Sequence, residues 1–125
     1  MKVGILSFQG SFLDHSKSIL SIGATPVLIK NEADIYDLDA LILPGGESTA
    51  MKKIDSYSKV FSVLDDFIKS GKPTLSTCAG TILLAKDVIG GDTTIPNIDI
   101  QVTRNAYGRQ TESFEGSVNF YDNND

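Results

Sequence analysis

The sequence predicts an α/β fold in which helices cover both faces of a doubly wound parallel sheet. Short, almost wholly apolar runs recur along the chain, as expected for strands that are buried on both faces. Stretches with apolar residues at helical spacing lie between these runs, and glycine-rich segments follow several of them. The predicted order of elements is β-α-β-β-α-β-α.

Three strands and one helix are predicted in the first part of the chain. The strands are Lys2 to Phe8, Pro26 to Ile29 and Ala40 to Leu43, each with few polar residues. Phe12 to Ile22 is an imperfect amphipathic helix that stops at Gly23, a residue suited to the left-handed turn after a helix.

The middle of the chain alternates helix and strand again. Ser48 or Thr49 is placed to cap a helix that runs through Met51 and Ile54. The next prediction is a helix that begins at Val60 and runs up to Ser70-Gly71. It is followed by a brief strand from Pro73 to Ser76 and a helix from Ala79 to Asp87 that closes near Gly90-Gly91.

The pattern changes beyond Gly91. Ile98 to Val102 and Ser117 to Tyr121 are predicted strands, and a polar connection joins them. Residues 121–125 (YDNND) have the composition of a turn between strands, and no further strand follows. We therefore expect residues 1–125 to be a single domain that is truncated at its C-terminal end.

Composition limits the classes of function. With 125 residues, 41% of them hydrophobic, and 11 glycines, the chain is long enough for one packed domain. A net charge of −5 argues against nucleic acid as a partner. The absence of a long apolar run or signal-peptide pattern argues against a membrane and predicts a cytoplasmic protein. One cysteine and one histidine cannot form a disulfide or a soft-ligand zinc site, so no metal is expected.

Ligands of a doubly wound sheet bind at the carboxyl ends of its strands. Three segments follow predicted strands there, namely Gln9-Gly10, residues 45–48 (GGES) and residues 77–80 (TCAG). Because parallel strands end at one edge, we expect the three segments to converge.

Cys78 is the strongest candidate for chemistry. It stands between a strand and a helix with small neighbours, as in a nucleophile elbow, and the helix N-terminus favours thiolate over thiol. The alternative is a small buried residue. Gly45-Gly46 can expose backbone N–H groups to an oxyanion or form a plain turn. Glu47 can bind a substrate ammonium or merely favour a helix N-terminus.

The remaining polar residues are weaker candidates. His15 would be the natural base for a cysteine, but no spacing directs it at Cys78, and a solvent-facing or partner-facing role is the simpler interpretation. Arg104 and Arg109 can clamp a carboxylate or lie on the surface. Four aspartates are predicted to form a solvated acidic face without metal-ligand spacing, namely Asp14, Asp34, Asp37 and Asp39.

Taken together, the motifs resemble a known family. Residues 43–49 (LPGGEST), 77–80 (TCAG), 82–86 (ILLAK), 104–110 (RNAYGRQ) and 113–115 (SFE) closely resemble the glutaminase subunits of pyridoxal 5′-phosphate synthase. These belong to the class I, or triad, glutamine amidotransferases. The resemblance implies a flavodoxin-like sheet, hydrolysis of L-glutamine to glutamate and ammonia, and delivery of that ammonia to a separate synthase (lyase) subunit. It implies no cofactor for the glutaminase step.

The resemblance also implies roles for individual residues. Cys78 is the nucleophile, and the backbone N–H groups of Gly46 and Ala79 form the oxyanion hole. The positions that hold glutamine correspond to Gly46, Glu47, Ser48 and Arg104.

Two departures from the family pattern limit this assignment. The catalytic histidine and glutamate of the family lie in a His-Pro-Glu segment near the C-terminus, and this sequence has none. We therefore expect an N-terminal fragment that is inactive alone, or, as the alternative, a non-catalytic module that docks on the synthase subunit. Ser76 stands where the family has glycine. The deglycase and intracellular-protease branch is disfavoured because Gln9-Gly10 replaces its acidic residue.

Overall fold

The computed structural model describes residues 1–8, 10–46, 59–104 and 116–117. The strands are β1 (Lys2–Leu6), β2 (Thr25–Ile29), β3 (Ala40–Leu43), β4 (Thr74–Ser76), β5 (Ala85–Ile89) and β6 (Ile98–Thr103). The α-helices are α1 (Phe12–Ser21), α2 (Val60–Lys69) and α3 (Ala79–Leu84), and a 3-10 helix spans Glu32–Ile35.

The first four strands form one sheet with the order β2-β1-β3-β4. All three pairings are parallel, and in register Val3 lies between Pro26 of β2 and Ala40 of β3. The chain moves outward from β1 to β2 and then crosses back to β3 and β4, so it winds in both directions from the centre. This confirms the predicted doubly wound sheet.

Side chains of the central strands alternate between two apolar clusters, one on each face of the sheet. On β1, Leu6 packs with the larger cluster, whereas Val3 and Ile5 pack with the smaller one. Helix α1 covers the smaller cluster through Ile19, and the apolar residues of α2 and α3 cover the larger one. The near-continuous apolar runs of β1 and β3 are thus explained, because both of their faces are buried.

The predicted helix from Ala79 to Asp87 is wrong beyond Leu84. Helix α3 ends there, and the next residues form β5, which pairs in parallel with β6. The backbone N–H groups of Ile95 and Asn97 donate to the carbonyls of Leu83 and Leu84 at 2.8 and 2.9 Å, so carbonyls at the end of α3 accept bonds from the segment before β6. The local apolar pattern suits a helix, but pairing with a strand nearly ten residues later overrides it.

The 3-10 helix was not predicted. The carboxylate of Asp34 accepts hydrogen bonds from the backbone N–H groups of Lys30 and Asn31 at 2.9 and 3.1 Å, so it caps the start of this helix. Asp39 likewise accepts a bond from the backbone N–H of Lys2 at 2.7 Å. Two members of the predicted acidic face therefore bind backbone N–H groups, one at the start of the 3-10 helix and one at the start of β1.

Some predictions lie outside the described residues. These are the helix through Met51 and Ile54 with its Ser48 or Thr49 cap, and the strand from Ser117 to Tyr121 except for Ser117 itself, which is neither helix nor strand. Within the described ranges, no helix combines the length and apolarity needed to cross a membrane.

Candidate active site at the carboxyl edge of the sheet

The turns that follow β1, β3 and β4 meet at one edge of the sheet, as predicted. A Cβ atom added to Gly10 would overlap the carbonyl oxygen of Gly45, so the first two turns are in backbone contact. A Cβ atom added to Gly45 would lie 3.1 Å from Cβ and 3.8 Å from Sγ of Cys78. Glycine at these positions therefore leaves room for the close approach of three backbone segments.

Cys78 occupies a strained turn between β4 and α3. Its backbone has φ 51° and ψ −119°, a conformation that residues with a side chain rarely adopt. The residue is exposed, although its neighbours Ala79 and Gly80 are buried. This is the strand, sharp turn and helix arrangement that lifts a nucleophile above the edge of a sheet. It is also a costly conformation that the surrounding structure must hold in place.

Backbone bonds hold the turn on both sides of Cys78. Before it, the N–H of Thr77 donates to the carbonyl of Leu43 at 3.0 Å and so joins the end of β4 to the end of β3. After it, the N–H of Thr81 donates to the carbonyl of Cys78 at 3.0 Å. Gly80 lies directly against the carbonyl of Leu43, where an added Cβ would overlap the oxygen. Glycine at position 80 therefore allows α3 to approach β3 closely.

A pair of hydroxyl groups also spans the turn. Oγ of Ser76 and Oγ1 of Thr81 lie 2.9 Å apart, and either can donate the hydrogen bond between them. Both residues are partly buried. In the sequence, Ser76 stands out only as a departure from the family pattern. The spacing of these two hydroxyl residues, two before and three after Cys78, does not by itself predict their contact.

Gly46 has φ 154°, within the range that favours glycine, and it is partly buried, as is Gly45 beside Cys78. The loop after β3 therefore presents backbone without side chains to the cysteine. Glu47 and Ser48, two of the predicted substrate-binding residues, lie outside the described residues.

Arg104 lies at the end of the smaller sheet. Its backbone N–H donates to the carbonyl of Ile89 at 3.0 Å, directly after β6. Its side chain passes over Gly91, where an added Cβ would lie 3.2 Å from Nη1. Arg104 is partly buried, and Arg109 lies outside the described residues.

His15 is partly buried on α1. In the part of the chain that the structure describes, no group of three or more His, Cys, Asp or Glu side chains is arranged to hold a metal ion.

Comparisons with known proteins agree with this geometry. Residues 5–125 match the SNO glutamine amidotransferase family. A pyridoxal 5'-phosphate synthase subunit PdxT of Listeria welshimeri is 43% identical over 118 residues, which is 94% of this chain and 63% of that protein. A protein of the same name from Bacillus cereus (strain AH187) is 48% identical over 120 residues, which is 94% of this chain and 61% of that protein. The resemblance seen in the motifs is confirmed.

Solved structures give the same fold. A crystal structure of a glutamine amidotransferase superimposes with a TM-score of 0.80 at 34% identity, covering 91% of this chain and 62% of that one. A putative peptidase E protein from Listeria monocytogenes EGD-e superimposes with a TM-score of 0.60 at 12% identity, over 78% of this chain and 63% of that one, and shows the fold alone. The chain spans 61 to 63% of the length of the curated relatives described here.

Proposed function

The chain belongs to the SNO glutamine amidotransferase family, and on that premise we propose that it carries the nucleophile and oxyanion half of a glutaminase site. The substrate is L-glutamine, and the products are L-glutamate and ammonia. The observation that carries the proposal is the exposed Cys78 at a positive φ, in contact with the side-chain-free loop at Gly45.

The chemistry follows from that arrangement. The thiolate of Cys78 attacks the side-chain amide carbon of glutamine, and the carbonyl oxygen becomes an oxyanion. Backbone N–H groups of Gly46 and Ala79 stabilise that oxyanion, a contribution of about 10²–10³-fold for each donor in comparable sites. The C–N bond then breaks as the nitrogen takes up a proton and leaves as ammonia. Water hydrolyses the remaining thioester and releases glutamate.

The proton on the leaving nitrogen requires a general acid. The only histidine of this sequence is His15, and the sequence contains no His-Pro-Glu segment. We assign no acid–base role to His15, so the residues proposed here account for nucleophilic attack and oxyanion stabilisation only.

Substrate binding is proposed for Gly46, Glu47, Ser48 and Arg104. Free glutamine carries an ammonium and a carboxylate, and each needs a partner of opposite charge. Glu47 is the partner for the ammonium and Arg104 for the carboxylate, because charge-assisted hydrogen bonds bind such groups most strongly. The partly buried position of Arg104, braced against Gly91, is compatible with a fixed guanidinium.

We further propose that the partner is the synthase subunit that builds pyridoxal 5′-phosphate and that it receives the ammonia. The names of the relatives from Listeria and Bacillus support this assignment. A cytoplasmic location and a single amidotransferase domain are part of the same proposal. The lone cysteine and the continuous family match over residues 5–125 support them.

A second candidate is a module that docks on the synthase subunit without turnover. The two candidates differ in one measurement, the release of ammonia from glutamine. A module would bind the synthase subunit and release none, even when both proteins are present.

The nucleophile proposal is tested with an electrophilic glutamine analogue, 6-diazo-5-oxo-L-norleucine. Since Cys78 is the sole cysteine, intact-mass spectrometry reads modification at that thiol directly. We expect one adduct, slower labelling in excess L-glutamine and no adduct in Cys78→Ala. Thr74→Val, on the same strand, is the control and should label normally. Labelling that L-glutamine does not slow, or an adduct in Cys78→Ala, would overturn the proposal.

A further inference from the structure

We propose that the hydroxyl pair formed by Ser76 and Thr81 is a positioning device that holds the Cys78 thiol in its reactive place. The inference rests on the proposed function for its purpose, since it concerns the same cysteine. It is tested by the rate at which the Cys78 thiol is alkylated, a measurement that does not depend on glutaminase activity.

The strained backbone at Cys78 needs anchorage on both sides. A non-glycine residue at φ 51° and ψ −119° relaxes to an ordinary conformation unless both of its flanks are anchored. On the strand side, Ser76 pairs in register with Leu43, and Thr77 donates to the carbonyl of that residue at 3.0 Å. These contacts fix the position of the chain as it enters the turn.

On the helix side, anchorage comes from backbone bonds and packing. Helix α3 has only 6 residues, and its first turn is held by bonds from Thr81 and Ile82 to the carbonyl of Cys78 at 3.0 and 3.4 Å. The N–H of Gly80 also donates to the carbonyl of Thr77 at 2.9 Å, which ties the first turn of the helix to the end of the strand across Cys78. Gly80 rests on the carbonyl of Leu43, and Leu83 and Leu84 at the end of the helix are buried in the larger apolar cluster.

The bond between Ser76 and Thr81 adds a side-chain link across the same turn. It joins the last residue of β4 to the first turn of α3 through oxygen atoms 2.9 Å apart, with the exposed Cys78 between them in the chain. Both hydroxyls are partly shielded from water, so neither exchanges its partner for solvent without loss. Together with the backbone bond of Gly80, it opposes a rotation of the first turn of α3 that would let the backbone at Cys78 relax and swing Sγ away from Gly45.

The test measures the rate at which iodoacetamide alkylates Cys78 in the full 125-residue chain, where no other cysteine reacts. Ser76→Ala and Thr81→Val each remove one hydroxyl, and each should slow alkylation about five-fold, as expected for one hydrogen bond. The double variant should be no slower than either single variant, because both remove the same bond. Thr81→Ser keeps the hydroxyl and should retain the wild-type rate.

Two controls isolate the effect. Thr74→Val removes a hydroxyl from the same face of β4, where its contact with the carbonyl of Lys72 is long at 3.4 Å, and the rate should not change. Alkylation in concentrated urea should be equal in all variants, because the unfolded thiol is the same. If Ser76→Ala unfolds the chain, the Thr81→Val and Thr81→Ser pair alone decides the question.

The outcomes separate the two proposals. Wild-type rates in Ser76→Ala and Thr81→Val, or additive losses in the double variant, would overturn the positioning role and leave the glutaminase proposal intact. Slowed alkylation with rescue by Thr81→Ser supports the positioning role even if the glutamine analogue fails to label Cys78, a result that would overturn only the proposed function.

Discussion

The two edges of the four-stranded sheet are built in different ways. At the carboxyl edge, backbone segments touch each other directly through Gly10 and Gly45, and Cys78 is held at a positive φ. At the amino edge, side chains bind the backbone instead. Asp39 accepts a bond from the N–H of Lys2 at 2.7 Å, and Nζ of Lys72 donates to the carbonyl of Leu38 at 2.9 Å.

The difference shows how one fold separates reactivity from stability. Contacts between backbones leave no room for added atoms, but they leave a surface free of side chains around the thiol, which a substrate can approach. Hydrogen bonds from exposed side chains contribute about 0.5–1.5 kcal/mol each and tolerate replacement. Substitutions should therefore destabilise the carboxyl edge far more than the amino edge.

The largest expected effect compares a glycine at each edge. Gly80→Ala places Cβ on the carbonyl oxygen of Leu43, and overpacking of this kind should reduce the free energy of unfolding by about 3 kcal/mol or more. The Cβ of Gly71→Ala, before β4, meets no atom within 4 Å. This variant should lose only roughly 1–2 kcal/mol of unfolding free energy, the cost of a left-handed φ for a residue with a side chain. Urea unfolding of both variants measures the difference. Equal losses would show that the two edges do not differ in packing.

The strain at Cys78 can be measured by releasing it. Cys78→Gly adopts a positive φ freely, whereas Cys78→Ala keeps the strain, and both remove the thiol. Since such strain is worth about 1–3 kcal/mol and glycine loses about 0.5–1 kcal/mol in flexibility, Cys78→Gly should be more stable than Cys78→Ala by about 1 kcal/mol. Thermal melts of the two variants provide the measurement. An alanine variant at least as stable as the glycine variant would contradict strain at this residue.

At the amino edge, the effect of Lys72 should be moderate. Its ammonium bonds to the carbonyl of Leu38 and lies 5.1 Å from the ring centre of Phe67. Lys72→Met keeps the apolar stem and should lower the free energy of unfolding by about 1 kcal/mol. Lys86→Met, at another exposed lysine, is the control. The rate of Cys78 alkylation should stay at the wild-type value, and a slower rate would show that the two edges are coupled.

The smallest effect concerns Asp65 in the second half of α2. The hydrogen bond from Lys69 at 2.7 Å lowers the pKa of this carboxyl, and a second bond from Asn97 at 2.7 Å adds to the shift. A lowered pKa means that the stabilisation is present above the ordinary value of 3.8 and is lost as the pH falls through the folded pKa.

Asp65→Asn should therefore reduce stability by less than about 1 kcal/mol at pH 7, since the carboxyl is near the surface. The difference from wild type should shrink as the pH is lowered below about 4. Chemical unfolding at several pH values is the measurement, and Asp66→Asn controls for the loss of one negative charge. A difference that grows toward acid pH would contradict the sign of the shift.

Much of the fold was predictable because burial on both faces leaves a strong pattern. Ala40–Leu43 matches its predicted strand, and Val60–Lys69 matches the helix predicted to run up to Ser70-Gly71. The convergence of the turns at Gly10, Gly45 and Cys78 followed from parallel strand order alone. The assignments of Glu47, Ser48 and Arg104 to substrate binding depended on a family resemblance and remain proposals.

The sequence by itself determined the strand and helix alternation, the parallel order and the placement of Cys78 at the edge of the sheet, because these depend on apolar spacing and glycine. Only the tertiary structure decided that Ala85–Ile89 is a strand, since that choice depends on a partner, β6, that is distant along the chain. It alone revealed the bond between Ser76 and Thr81 as well. A hydrogen bond between two hydroxyls needs a separation set to a few tenths of an ångström, and residue spacing does not contain that information.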